Sequence, residues 1–229
     1  YDFCDSDTDP MAEHSSEWHG TAIAGIAAAK GNNEIGIAGI SYDSTLAGIR
    51  LFCEDSEDDY TFTDLEVSQA VTYKNQNIDI YSNSWGPEDD GQTLGRVGPL
   101  TLAAFEAGVN EGRGGLGSIY VWSNGNGLQN KDYSNKDGYA NSRYTIAVGA
   151  VNWQGKQTGY SEHGPNILTS APSHNGTITE AGVFTTDIVG DGGDFDGNYT
   201  VVTGGTSTAA PMVSGVIALM LEANSDLTW

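Results

Sequence analysis

The stretch Gly204-Gly-Thr-Ser-Thr-Ala-Ala-Pro211 opens an apolar run that continues to Ala223. It reads as a turn, a hydroxyl and a helix. Gly204 and Gly205 allow a tight turn that residues with a Cβ resist. Pro211 falls in the first turns of a helix predicted over 206–223, where its missing N–H costs least. Ser207 then stands at the helix start, where free N–H groups and the helix dipole favour developing negative charge. Ala209 and Ala210 let the helix pack closely below it.

A serine hydroxyl is a poor nucleophile unless a base accepts its proton. His19-Gly-Thr21 supplies an imidazole, which titrates near neutral pH, at the start of the Ala-rich, helix-prone stretch Gly20–Lys30. Trp122-Ser-Asn-Gly-Asn-Gly127 closes a strand predicted over 118–122 and carries two side-chain amides, Asn124 and Asn126. Each motif alone is common: singly, His19 reads as a surface histidine and Ser207 as a helix N-cap. With all three present, those separate readings lose most of their weight.

Between the motifs, strand-like runs over 45–52, 78–81 and 144–151 alternate with helical stretches over 63–74 and 99–111. This predicts an α/β fold with a mostly parallel central sheet flanked by helices. The acidic stretch 54–60 and the Gly/Asp-rich 190–198 read as surface loops. The chain has 229 residues, enough for one large domain with a buried core, and shows no internal repeat or interior linker. No apolar run approaches the roughly 18 residues that span a bilayer, and Val213–Leu221 reads as part of a core helix.

Nine Lys plus Arg stand against 31 Asp plus Glu, for a net charge of −22. Such a surface repels nucleic acid, and attracts cations and basic peptides. Most of the excess reads as solubility or salt adaptation, so only carboxylates placed by a motif are assigned a role. Cys4 and Cys53 are compatible with one disulfide, which spacing alone does not establish.

The three motifs in this order resemble the subtilase superfamily. Ser82-Asn-Ser-Trp-Gly-Pro-Glu-Asp-Asp-Gly91, Gly112-Arg-Gly-Gly-Leu-Gly-Ser-Ile-Tyr-Val-Trp122, Asp137-Gly-Tyr-Ala-Asn-Ser142 and Leu221-Glu-Ala-Asn-Ser-Asp-Leu-Thr-Trp229 are similar to the kexin/furin-like proprotein convertases within it. The resemblance runs along nearly the whole chain. It implies a subtilisin-like three-layer fold and a calcium-dependent serine endopeptidase that cuts after basic residues. His19 would be the general base, Ser207 the nucleophile and Asn126, which follows Gly125 as the family's asparagine follows its glycine, the oxyanion donor.

By the same resemblance Ser84, Trp85, Gly86 and Pro87 wall the S1 pocket, and Asp89 and Asp137 receive a P1 Arg or Lys. A cationic side chain in a pocket needs an ionised partner. Calcium, which takes six to eight oxygens, would be held by Asp89, Asp132 and Glu162. A second site would use Asn33 and the backbone oxygens of Lys30, Ile35 and Ile37. Asp5, Asp7 and Asp9 read either as a third site or as solvated surface. Tyr139 is a candidate for S4 and Glu17 for S2.

The family's triad Asp is expected to lie further upstream than the stretch ahead of His19 reaches, so 1–229 reads as a partial catalytic domain, nearly inactive by itself. Val67 stands where the family commonly has a P4-selecting Glu, with Glu66 beside it, and Gly95 lies in a short insertion. A Lys-Arg preference of the kexin sort fits better than a furin-like P4 preference. The family's disulfide cysteines are absent. A pro-segment, a P domain and secretion are implied as well. A broad-specificity subtilase in which Asp89 serves only calcium, and a calcium-stabilised pseudoprotease that binds without hydrolysing, are the competing readings.

Overall fold

The structure, a computed structural model, describes residues 1–54, 60–175, 182–190, 192–194, 196–202 and 204–229. Its elements in chain order are α1 (Trp18–Ala28), β1 (Cys53–Glu54), β2 (Tyr60–Thr61), α2 (Asp64–Ala70), β3 (Ile80–Asn83) and α3 (Pro99–Gly115). They continue with β4 (Ile119–Ser123), β5 (Thr145–Val151), β6 (Ile167–Pro172), β7 (Val183–Thr186), β8 (Tyr199–Val202) and α4 (Thr206–Ala223).

β3, β4, β5 and β6 lie side by side in that order as a parallel four-stranded sheet. All of β4 is buried, as expected of a parallel strand covered on both faces. Its side chains alternate between two cores. Tyr120 and Trp122 face Phe105 and Val109 of α3 and Val67 and Val71 of the α2 region. Ile119 and Val121 face Ala209 and Ala210 of α4, which lies against all four strands. α1 packs on α4 and β7. The expected three-layer α/β arrangement, a parallel sheet flanked by helices, is borne out.

α4 has the predicted limits. By length and composition it passes for a membrane-crossing helix, but Thr206 and Thr208–Pro211 are buried in the core. α3 keeps helical geometry as far as Glu111, as expected; Gly112–Gly114 leave it, with Arg113 at φ 52°. α2 is shorter than the predicted 63–74. It opens on a capping box in which Thr63 and Glu66 satisfy each other's backbone N–H groups.

The predicted strand over 45–52 is not there. Residues 45–49 carry no ladder, and only Arg50 pairs, in an isolated parallel bridge with Asp2. β-branched and apolar character makes a strand only where a neighbour completes its hydrogen bonds. Residues 55–59 of the expected loop 54–60 lie outside the described residues, as do 191 and 195 of the loop 190–198. β7 and β8 form an antiparallel ribbon that the sequence did not lead us to expect.

Cys4 and Cys53 form a disulfide, with their Cα atoms 5.3 Å apart. The start of the chain runs beside the same segment, with Phe3 N–H donating to Arg50 O at 2.9 Å and Arg50 N–H to Tyr1 O at 3.0 Å.

Candidate active site

Parallel sheets gather ligands at the carboxyl ends of their strands, and the sequence motifs meet there. Ser84 follows β3, and the Asn124–Gly127 loop follows β4. The N-terminus of α4 comes up beside both. Ser84 Oγ donates to Ser207 O at 2.9 Å, and Ser207 Oγ to Ser84 O at 3.3 Å. Ser207 is thus pinned to the strand end at the second residue of α4. There the first helical N–H groups have no partner one turn back; Asn126 takes that of Thr206 and Gly205 O that of Thr208, which leaves the Ser207 N–H to meet an oxyanion.

Asn126 Oδ1 accepts from Thr206 N–H at 2.8 Å and from the Thr206 hydroxyl at 3.1 Å. Its NH2 group is left facing the cleft as a donor. Asn124 serves the framework instead. Fully buried, it donates to Glu162 O at 2.8 Å and accepts from Ser161 Oγ at 3.2 Å. Gly125 between them sits at φ 96°, where a side chain would collide with the Glu162 carboxylate.

His19 is the second residue of α1, with its ring edge-on to Trp18 at 5.9 Å. Burial holds its pKa below the ordinary 6.5, so it is neutral at neutral pH and able to accept a proton. Among the described residues no hydrogen bond joins His19 to Ser207, whose hydroxyl is turned to Ser84. Such bonds commonly close only once substrate is present.

Ser84, Trp85, Gly86, Pro87, Asp89, Asn126, Asp132, Asp137, Glu162 and Ser207, all expected from sequence, line one cleft. Burial, aided by the charges of Asp89 and Asp132, pushes Asp137 up to about 6. Burial and the same two neighbours push Glu162 well above the usual carboxylate range. Asp89 Oδ2 accepts from Asn126 N–H at 3.0 Å, so this carboxylate also fixes the loop that carries the amide. Gly86 leaves room for Asp137: a Cβ there would stand 3.0 Å from Asp137 Oδ2.

Several expectations fall elsewhere. Glu17 is no open S2 partner: Arg50 donates to its Oε1 from Nη2 at 2.7 Å and from Nε at 3.2 Å. Tyr139 is stacked on Trp122 with rings 5.1 Å apart and is 9% exposed, so most of its ring is packed in the core. Val67 is fully buried, and Glu66 is held in the α2 cap. Asp5 pairs with Arg50 at 3.1 Å, while Asp7 and Asp9 accept from the N–H groups of Asp9 and Met11. Asn33 Oδ1 accepts from Ile35 N–H at 3.1 Å in a loop where Asn32, Glu34 and Gly36 have positive φ. Lys30 pairs with Asp43 through its side chain, and among the described residues the carbonyls of Lys30, Ile35 and Ile37 accept no backbone hydrogen bond. Among the described residues, no three His, Cys, Asp or Glu side chains close around a single point at ligating distance. Sequence reasoning missed Lys136 in the cleft and Arg50 beneath Glu17; a lone cation in an acidic chain gives no signal of which carboxylates it meets.

The Subtilase family profile matches residues 2–229. The chain belongs to the subtilase family. Curated relatives of this subtilase include human proprotein convertase subtilisin/kexin type 4, 41% identical over 232 residues, covering 100% of this chain and 29% of the relative. Mouse neuroendocrine convertase 2 is 42% identical over 233 residues, covering 100% of this chain and 34% of the relative. The kexin/furin-like resemblance is thereby borne out, and the chain spans about a third of the length of those relatives. The serine protease of Aeromonas sobria, solved in complex with its chaperone, superposes with a TM-score of 0.83 at 24% identity, over 99% of this chain and 44% of that one. That likeness concerns the fold.

Proposed function

We propose that this subtilase chain is the larger part of the catalytic domain of a serine endopeptidase that cleaves after basic residues. The observation that carries the reading is the meeting of Ser207, the donor amide of Asn126 and a carboxylate-lined pocket at one sheet edge. Ser207 Oγ attacks the scissile carbonyl as His19 takes its proton. The oxyanion is received by the Asn126 NH2 and by the Ser207 N–H at the start of α4. His19 then gives the proton to the leaving amine, and water cleaves the acyl-enzyme by the reverse sequence. The carboxylate that orients His19 comes from a part of the whole protein outside this sequence.

A P1 Arg or Lys enters past Trp85 and Gly86 towards Asp137 and Asp89. Asp137, shifted towards neutrality by burial, becomes fully ionised when that cation arrives. The engagement of Glu66 and Glu17 leaves selection at P4 and P2 weaker than at P1. Asp89, Asp132 and Glu162 offer oxygen-only donors to one cleft, and burial, aided by the charges of Asp89 and Asp132, holds Glu162 above the usual carboxylate range; such a donor set suits a hard cation such as Ca2+. Bound calcium would offset two of the three carboxylate charges and stiffen the pocket floor. Substrates are proteins or peptides with basic residues. Secretion, a pro-segment and a following P domain complete the proposal.

The test is kcat/KM of the full protein on matched peptides ending in Lys-Arg or Ala-Phe, with Ser207→Ala as control. A strong preference for Lys-Arg, lost in the variant, is expected. Equal rates would remove the basic specificity, and no cleavage by the folded full protein would leave a binding module. Excess EGTA is expected to lower Tm; an unchanged Tm would overturn the calcium reading.

A further inference from the structure

Lys136 is the one basic side chain among the described residues that line the cleft. It stands in the turn just before Asp137, as the last residue of a short 3-10 helix. Its Nζ donates to Gly91 O at 2.7 Å and lies 3.6 Å from Asp132 Oδ1. The Tyr133 ring, 5.6 Å away, flanks the ammonium. Its side chain is 31% exposed against 7% for Asp132, so the charge is only partly screened.

Asp132 is otherwise already occupied. Its Oδ1 accepts from Tyr133 N–H at 2.8 Å and its Oδ2 from Gly91 N–H at 2.9 Å. A carboxylate that holds two N–H groups and faces an ammonium has less negative potential to offer a divalent ion. The same contacts tie together the two chain segments, 89–91 and 132–137, that supply the pocket's carboxylates. Lys136 reaches one segment through Gly91 O while standing on the other.

We propose that Lys136 is a resident counter-ion of this pocket. Its ammonium supplies part of the neutralisation that a divalent cation would otherwise supply, holds the 89–91 and 132–137 segments together without metal, and weakens the ion's affinity. The inference rests on the calcium reading above. Its consequence is a pocket that keeps its shape at calcium concentrations where one without the lysine would open.

The test uses the full protein, inactivated by Ser207→Ala to prevent self-digestion, with Lys136→Met and Lys136→Arg. Tm is measured in EGTA and across a Ca2+ titration, and Ca2+ binding by calorimetry. Lys136→Met should melt lower than its parent in EGTA, gain more from saturating Ca2+, and bind the ion about tenfold more tightly, because a unit charge close to the site is removed. Lys136→Arg keeps the charge and should follow the parent. Equal, non-zero calcium shifts and affinities in parent and Lys136→Met would overturn the counter-ion role while leaving the calcium reading intact. No calcium effect in any of the three proteins would overturn both. Should Lys136→Met fail to fold in EGTA yet fold in Ca2+, the proposal is supported; failure in both, with Lys136→Arg also losing Tm, would show that the residue only packs.

Discussion

The side-chain oxygen of Asn126 is clasped by the backbone N–H of Thr206, the first residue of the helix that carries Ser207, at 2.8 Å. An N–H requires an acceptor, so this contact fixes which end of the amide faces the cleft. One hydrogen bond thereby sets the donor and the nucleophile on a common frame. The backbone N–H of Asn126 is itself held by Asp89, so the pocket floor and the oxyanion donor are built together.

Asn126→Ala should therefore lower kcat by about 10²–10³, the loss seen when a subtilisin is deprived of its oxyanion-hole asparagine, with little change in KM. Asn126→Asp keeps the acceptor for Thr206 but removes the donor and should lose as much. An Asn126→Asp variant with near-parent kcat would show that the NH2 group does not meet the oxyanion.

Arg50 is 9% exposed in its side chain and touches Asp2 at 2.9 Å and Glu17 at 2.7 Å, the latter the residue just before α1. Burial raises both carboxyl pKa values, but hydrogen bonds from Arg50 and from backbone N–H groups outweigh it and leave both lowered. A lowered carboxylate pKa contributes stability that is present above the unfolded value and is lost as pH falls through the folded one. Urea unfolding should thus show parent stability declining below about pH 4. Arg50→Met, which strands buried carboxylates, should cost about 3–5 kcal/mol at pH 7 and much less at pH 3. An Arg50→Met penalty independent of pH would mean that the cluster acts by packing alone.

The disulfide closes a loop with a sequence separation of 49. By loop entropy, opening it should cost ~4 kcal/mol. The Cys4→Ser, Cys53→Ser double variant and the reduced parent should melt at the same lowered Tm. A Tm unaffected by reductant would show that the Arg50 cluster and the paired backbone of residues 1–4 already hold the start of the chain.

What sequence could disclose follows from what each feature depends on. α4 and the Ser207 turn were legible because glycines, small residues and proline at fixed offsets leave one local geometry. β4 was legible because a strand buried on both faces is mostly apolar. The stretch 45–52 has strand composition, yet strand formation depends on a neighbour that composition does not reveal, and only Arg50 finds one. Glu17 and Tyr139 have partners that the sequence did not disclose, for a related reason. Their residue types suit S2 and S4, but Arg50 and Trp122 reached them first, and such long-range partners leave no mark in local spacing. The β7–β8 ribbon has hairpin composition, Val- and Thr-rich strands about a Gly/Asp-rich connection, but each strand is only four residues long and gives a weak signal.

Behind the nucleophile, Ser173 joins three groups that no motif had linked. Its hydroxyl accepts from Tyr160 OH at 2.8 Å, donates to Gly205 O at 2.9 Å and lies 2.5 Å from Thr208 Oγ1. Gly205 is the N-cap of α4 at φ 92°, and the Tyr160 ring lies where a Cβ on Gly204 would meet it at 3.2 Å. Ser173 is thus a positioning residue for the turn that presents Ser207. Ser173→Ala leaves Gly205 O with Thr208 and Tyr160 OH with His174 O, so no buried group is stranded and stability should fall by only about 1 kcal/mol. The turn loses its lateral hold, however, and kcat should fall about tenfold or more with KM nearly unchanged, since small misplacements of a nucleophile are costly. Tyr160→Phe acts on the same hold from the other side, so the two losses in kcat should be strongly non-additive in the double variant. Additive losses, or a Ser173→Ala effect seen in Tm but not in kcat, would reduce the residue to an ordinary buried hydroxyl.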